Sequence, residues 1–360
     1  MQQVVRRRIA LVAVGAVLTL LVSVPRPAAR PQEQDPIAKT RLAEVRPLVS
    51  AVYAALRGRL ALAERPFGWR NDFFKGQGGN TYIPFTVRIE RAKIPTSAVA
   101  MYILVTPRGG GSPDATEPQL NIVGPEEIQD PPLPKVAFEA VYFIDDLDTD
   151  QAREAYRVSR AFSLPAGDYD VYVALGPSSG TDGRPKIDAT AAPVMMIKEA
   201  LFVPDLWTTE FSTSTVVVAE RVEPLADPLA PEQQTSDPYA LGTVRIVPAG
   251  RADFQRTEQL AVIFFVYNPG LTSERKPDVT VEYLIYQRSQ NGEKYFSRTA
   301  PQIFNAKTLA GFDIDAGHQL VGGQAMPLGA FPEGAYRLEI TVTDNTRRST
   351  VTRNVEFTVH

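Results

Sequence analysis

From Tyr336 to Val342 the chain alternates without a break, with Tyr336, Leu338, Ile340 and Val342 on one parity and Arg337, Glu339 and Thr341 on the other. A period of two places these sets on opposite faces of an extended strand, one face buried and one wet. The residues ahead of it, Phe331, Pro332, Glu333 and Gly334, have turn chemistry. The same device occurs earlier, where Leu164, Pro165, Ala166, Gly167 and Asp168 lead into Tyr169, Val171, Val173 and Leu175. Two copies of one turn-strand unit imply two similar modules. A chain of 360 residues has room for two domains, each able to bury its own core.

Composition narrows the class. Hydrophobic residues make up 44% and charged residues 22%, a globular balance, and 30 Pro with 24 Gly favour many turns over long helices. There is no Cys, which excludes disulfides, thiolate metal sites, a Cys nucleophile and a Cys-linked lipid. With His318 and His360 the only histidines, a multi-His metal centre is excluded as well.

Arg6, Arg7 and Arg8 precede an uncharged apolar run from Ile9 to Val24, the pattern of an export signal. That run is short for a membrane span, which needs about 17–25 residues. Residues 1–29 are therefore read as a signal peptide, cleaved near Ala28 or Ala29, or as an uncleaved N-terminal anchor. Either way the body of the protein is expected outside the cytoplasm: periplasmic, secreted or held at the cell envelope. Loss of residues 1–29 removes four arginines and no acid, so Lys plus Arg falls from 38 to 34 against 41 acids, a net of −7. An acidic mature chain argues against nucleic acid or anionic lipid as main partner, leaving the membrane to the N-terminal segment if it stays uncleaved.

Asp35 and Pro36 form a helix-start signal, and Leu42, Val45, Val49, Val52, Leu56 and Leu60 recur at helical spacing. An amphipathic helical region is predicted over 36–65, bent or split at Pro47 and ended by Pro66. A first β-sandwich is expected over 68–205. A bridging strand Thr213 to Val222, a Pro-rich connection and a second sandwich follow over 206–360. The second module repeats the first in order: Thr243 to Ile246 matches Thr86 to Ile89, Ala261 to Tyr267 matches Ala98 to Val105, and Val279 to Tyr286 matches Val136 to Ile144. The predicted fold is mostly β, two antiparallel immunoglobulin-like β-sandwiches in tandem, with about seven short strands each.

Two strands break the alternation rule. Ala98 to Val105 and Ala261 to Tyr267 are apolar on both faces, so each needs a cover on its outer side. The helix, through Val45, Val49, Val52 and Leu56, is the expected cover of the first. The outer face of the second, Ile263, Phe265 and Tyr267, is the candidate contact with the other module or a partner protein.

The unit Phe331 to Tyr336 resembles the turn and strand bearing the tyrosine corner of immunoglobulin-like and fibronectin-type modules, which implies that the Tyr hydroxyl bonds to the backbone upstream. The stretch Met326 to Asp344 is also similar to tail sandwich modules of bacterial secreted proteins, including those following GWxTD-family domains. Gly68, Trp69, Arg70, Asn71 and Asp72 match that family's name motif only in part, with Asn71 in place of Thr. The resemblance implies a fold and little chemistry.

Three patterns touch on chemistry. Gly176, Pro177, Ser178, Ser179 and Gly180 satisfy G-x-S-x-G, but a nucleophile elbow needs a following helix and a His, and Thr181 to Pro185 is loop sequence. Asp145, Asp146, Asp148 and Asp150 offer carboxylates to Ca²⁺, with Asp146, Asp148 and Asp150 the candidate ligands, yet the Gly and the twelfth-position Glu of a calcium loop are missing. Asp313, Asp315 and His318 make a trio without a fourth ligand. Met101, Met195, Met196, Trp69 and Trp207 read as packing residues, and Tyr142, Tyr172, Tyr283 and Tyr286 as partial candidates for a carbohydrate-binding strip. No catalytic or cofactor-binding residue emerges. The sequence reads as a non-enzymatic interaction or structural protein of the bacterial envelope, with an envelope or secreted protein as partner. A carbohydrate- or small-ligand-binding module, and an accessory part of a secreted hydrolase system, are the alternatives.

Overall fold

The computed structural model describes residues 36–60, 65–94, 98–108, 134–145, 147–150, 155–179 and 193–360. The export-signal segment lies outside the described residues. Among the described residues, no helix is long and apolar enough to cross a membrane.

The chain is mostly β, in antiparallel sheets that pair face to face. Helix α1 (Pro36–Leu56) comes first. Strands β1 (Gly68–Asn71), β2 (Phe74–Lys75), β3 (Thr81–Glu90), β4 (Val99–Pro107), β5 (Phe138–Ile144), β6 (Asp148–Asp150), β7 (Ala155–Leu164), β8 (Gly167–Pro177) and β9 (Met195–Val203) build the first module. β1 and β2 lie on one side of β3, which continues to β7 and β6; the facing sheet runs β5-β4-β8-β9. The core between them takes Ile83, Phe85 and Val87 from one sheet and Met101, Ile103, Val171 and Val173 from the other.

The second module contains β10 (Ser212–Thr213), β11 (Val217–Pro224), β12 (Ala240–Leu241), β13 (Val244–Pro248), β14 (Asp253–Phe254), β15 (Gln259–Tyr267), β16 (Val279–Ser289), β17 (Gly292–Arg298), β18 (Gln302–Phe304), β19 (Leu320–Pro327), β20 (Gly334–Asp344) and β21 (Ser349–Val359), with the short helix α2 (Pro231–Gln234) before β12. One sheet places β19 and the β10/β11 edge on either side of β15, then adds β13 and β12; the other runs β14-β21-β20-β16-β17. The β14–β21 contact is parallel. Phe264, Leu260, Tyr283, Leu338 and Ile340 meet in the core between these sheets.

The alternating strands behave as their parity demands. Tyr336, Leu338, Ile340 and Val342 are fully buried. Gly334 (φ +144°) and Gly167 (φ +151°) occupy a backbone region that side chains disfavour, so each turn requires its glycine. Just beyond, the Tyr336 hydroxyl donates to the Pro332 carbonyl (2.7 Å) and the Tyr169 hydroxyl to the Pro165 carbonyl (3.1 Å). Replacing either tyrosine by Phe should cost about 1 kcal/mol by orphaning that carbonyl. Unchanged unfolding midpoints in both variants would remove the structural role from these bonds.

The correspondence between modules differs from the one read in sequence by one strand. The tyrosine-bearing strand β8 has β4 as neighbour, whereas its counterpart β20 has β16. So β16, not β15, corresponds to β4, and β15 takes the place of β3. β13 is an added strand beyond β11, which is why matching Thr243 to Ile246 with Thr86 to Ile89 shifted everything after it. The bridging strand is likewise split into β10 and β11 at Ser214 to Val216.

The helix also departs from its expected bounds. It ends at Leu56, not near residue 65, because Gly58 closes it: the Gly58 N–H bonds to the Ala55 carbonyl (3.0 Å) and the Arg59 N–H to the Ala54 carbonyl (2.8 Å), the paired bonds of a Schellman motif. Its buried face runs through Glu44, Leu48 and Val52, while Leu42 is 57% exposed. Leu48 and Val52 sit on Ala100, Tyr102 and Leu104, the outer face of β4. Val99, Met101 and Ile103 of the same strand enter the sandwich core. That explains why β4 is apolar on both faces.

Candidate functional site at the joint between the modules

β15 divides its side chains in the same way. Val262, Phe264 and Val266 fill the second module's core, whereas Ile263, Phe265 and Tyr267 turn outward and are buried against Phe74 of the first module, Leu206 of the crossing segment, and Val217, Tyr239 and Ile246. Phe265 meets Phe74 edge to face, with ring centroids 5.7 Å apart.

The joint forms where both modules interrupt a strand. In the first, the gap between β1 and β2 lies opposite Pro84, whose C=O accepts from the Asp72 N–H (3.0 Å) but which has no N–H to return. The next residue, Phe73, turns its N–H and carbonyl to the opposite side of the strand, as antiparallel alternation dictates. Its N–H donates to Thr215 Oγ1 (2.8 Å), and its carbonyl accepts from the Thr215 N–H (3.1 Å). Thr215 lies in the matching gap between β10 and β11, where Ser214 bonds both backbone groups of Phe265 (2.9 Å each). Phe73 and Thr215 thus satisfy each other across the joint, through one backbone–backbone bond and one to the Thr215 hydroxyl, as polar groups withdrawn from water require.

Polar side chains extend the seam. The Lys75 N–H donates to the Tyr267 hydroxyl (3.1 Å), the Tyr82 hydroxyl to the Pro238 carbonyl (2.9 Å), and Arg157 pairs with Glu220 across the joint (3.2 Å). At its centre the Tyr239 hydroxyl donates to Asp72 Oδ2 (2.8 Å). Burial pushes the Asp72 carboxyl up to about 6, although the Tyr239 bond and the charge of Arg70 pull it down. The same burial raises Tyr239 well above its ordinary value, so it remains a donor.

The other residues singled out in the sequence fall elsewhere. Ser178 and Ser179 are buried and turned to the helix: Ser178 Oγ donates to Glu44 Oε2 (2.9 Å), and the Ser179 N–H (2.8 Å) and hydroxyl donate to Glu44 Oε1. Within the G-x-S-x-G sequence, Ser178 and Ser179 are a clasp for the helix. Glu44→Gln should cost about 1–2 kcal/mol, since an amide keeps one acceptor for donors that used two. Urea unfolding checks it, and a midpoint equal to the parent's would deny the clasp its role. A fluorophosphonate should leave Ser178 unlabelled, because its proton is committed to a carboxylate and both histidines belong to the second module.

In the loop after β18, the Asp313 N–H donates to His318 Nδ1 (3.0 Å), the Asp313 carboxylate caps its own turn, and Asp315 pairs with Arg275. The trio is used within the loop. Asp148 and Asp150 lie in β6, paired to β7, and Asp146 is outside the described residues. Among the described residues no cluster could hold a metal ion. Tyr283 and Tyr172 are buried, Tyr142 is half-buried under Arg160, and Tyr286 packs on Tyr295, so the four do not form one exposed strip. Met101 and Met196 are packing residues, and Trp69 stacks on Phe85 at 4.4 Å. Trp207 is 43% exposed at the edge of the joint.

No protein-family model matches the chain, and no curated protein matches it. Among solved structures it is similar to Salmonella alpha-2-macroglobulin reacted with methylamine, at 12% identity over 83% of this chain and 17% of that one, TM-score 0.20. E. coli alpha-2-macroglobulin in its native conformation matches at 10% identity over 82% and 16%, TM-score 0.20. The same E. coli protein activated by porcine elastase matches at 8% over 83% and 35%, TM-score 0.21. The chain therefore spans between 16% and 35% of the length of these structures, a likeness too slight to assign it their fold or activity.

Proposed function

We propose that this chain is a non-enzymatic, extracytoplasmic interaction protein of the bacterial envelope, whose two immunoglobulin-like modules are held as one body. The joint carries this reading: a module pair tethered only by a linker has no need of the paired Phe73–Thr215 bonds and a buried Phe265–Phe74 contact, whereas a body presenting a fixed surface to a partner does. The immunoglobulin-like assignment draws on strand order. Lettered along the chain, the first module pairs A-B-E-D in one sheet and C′-C-F-G in the other, with the tyrosine on F. Its export rests on Arg6, Arg7 and Arg8 ahead of the apolar run. The non-enzymatic reading is supported by Ser178 and the Asp313 loop having their polar groups committed to packing and turn bonds.

Alkaline phosphatase fused to the C-terminus tests export: activity is expected with residues 1–29 present and lost without them. An inactive full-length fusion would place the body in the cytoplasm. Cross-linking in the intact envelope, with mass spectrometry of the products, tests the role. A reproducible envelope or secreted protein that disappears when Phe265→Asp breaks the joint is the expected product; fluorophosphonate labelling of Ser178 would instead make the protein an enzyme.

A further inference from the structure

Beside the joint lies a half-open cleft of about 350 Å³, walled by Lys75 from the first module, Trp207 from the crossing segment, and Asn268, Phe312, His318 and Gln319 from the second. That size suits a single small-molecule ring with a substituent. Among its described lining residues are one lysine and no acid, a positive spot on a chain of net charge −3.

The walls are fixed in advance. Trp207 Nε1–H donates to the Asn80 carbonyl (2.9 Å), which sets the plane of the indole. Asn268, in a left-handed conformation (φ +52°), donates through Nδ2 to the carbonyls of Thr208 (2.8 Å) and Glu210 (2.9 Å). Its Oδ1 accepts from Lys75 Nζ (3.3 Å), which lies 4.6 Å from the Trp207 ring centre. One of the three ammonium protons is thus used, and the others are available to an acceptor in the cleft. His318 accepts at Nδ1 from the Asp313 N–H, so its neutral ring carries the proton on Nε2 and donates from there. Phe312 flanks that ring at 6.0 Å.

We propose that this cleft binds a small organic carboxylate borne on a ring, whether an acidic sugar or an aromatic acid. Lys75, seated over the Trp207 ring, and His318 Nε2–H receive the carboxylate, and Phe312 receives the flat apolar face. This goes beyond the interaction role above and stands without it. The ligand would touch both modules and the crossing segment at once, so its binding would tighten the joint by mass action.

Calorimetric titration of the full chain with glucuronate, methyl glucoside, benzoate and benzyl alcohol tests the proposal, with Trp207 emission in a Trp69→Phe protein as second readout. At least one of the two carboxylates should bind saturably, about ten-fold tighter than its neutral counterpart. Glucuronate alone would identify a sugar acid, benzoate alone an aromatic acid, and both the shared chemistry. Lys75→Gln should weaken that binding about ten-fold, and His318→Gln, on an exposed loop where folding is safe, should weaken it too. No saturable binding of either acid, equal binding of the neutral counterpart, or binding untouched by His318→Gln would overturn the proposal.

Discussion

Phe265→Ala is expected to cost about 3–5 kcal/mol and to uncouple the unfolding of the two modules. The side chain is 2% exposed, lies edge-on to Phe74, and sits in a cluster drawn from both modules and the segment between them. Its removal leaves a cavity at the joint while Val262, Phe264 and Val266 still fill the second module's core. Phe265→Asp should go further, because a carboxylate set among the apolar side chains of this cluster must be hydrated by opening the joint. Phe264→Ala is the control: equally buried but pointing the other way, it should weaken the second module and leave the joint's geometry unchanged. Urea unfolding in a Trp207→Phe background, followed at Trp69 in the first module, separates the cases. A single transition for Phe265→Asp, coincident by tryptophan emission and calorimetry, would mean the modules are not coupled through this residue.

Asp72→Asn should stabilise the protein at neutral and higher pH and do little in acid. A carboxyl near 6 in the folded protein and 3.8 when exposed favours folding in its protonated form. Its contribution is complete below the exposed value and is lost as pH rises through about 6, for a total of about 3 kcal/mol at most. Asn is uncharged throughout and keeps an oxygen for the Tyr239 hydroxyl. The variant's advantage should therefore be largest near pH 8 and vanish near pH 4. Unfolding midpoints of both proteins across that range decide it; a difference constant with pH would show that Asp72 does not titrate in the folded joint.

The doubly apolar strands were legible because burial on two faces leaves a signature that alternation cannot hide: Ala100, Tyr102 and Leu104 on β4, and Ile263, Phe265 and Tyr267 on β15. What covers each was harder to read. Glu44 lies on the helix's buried face, where a carboxylate is hidden from any count of apolar spacing, and so Leu42 was placed on the wrong side. Its partners Ser178 and Ser179 read as loop residues that match the elbow spacing by composition alone, and nothing in their sequence signals a carboxylate 134 residues away. The Asp72–Tyr239 bond joins residues far apart in sequence with no periodicity between them. The interruption opposite Pro84 did have a sequence signal, since a proline inside a strand of the sheet removes a ladder donor. Strand correspondence between the modules was misread because β13 imitates the composition of β3 while occupying a place the first module lacks.

The two modules form one body through the outer face of β15. The absence of native Cys allows spin labels at Ser163→Cys in the first module and Thr352→Cys in the second, both exposed. Pulsed electron spin resonance should give one narrow distance distribution in the parent protein and a broad one in Phe265→Asp. A broad distribution in the parent protein would contradict the account.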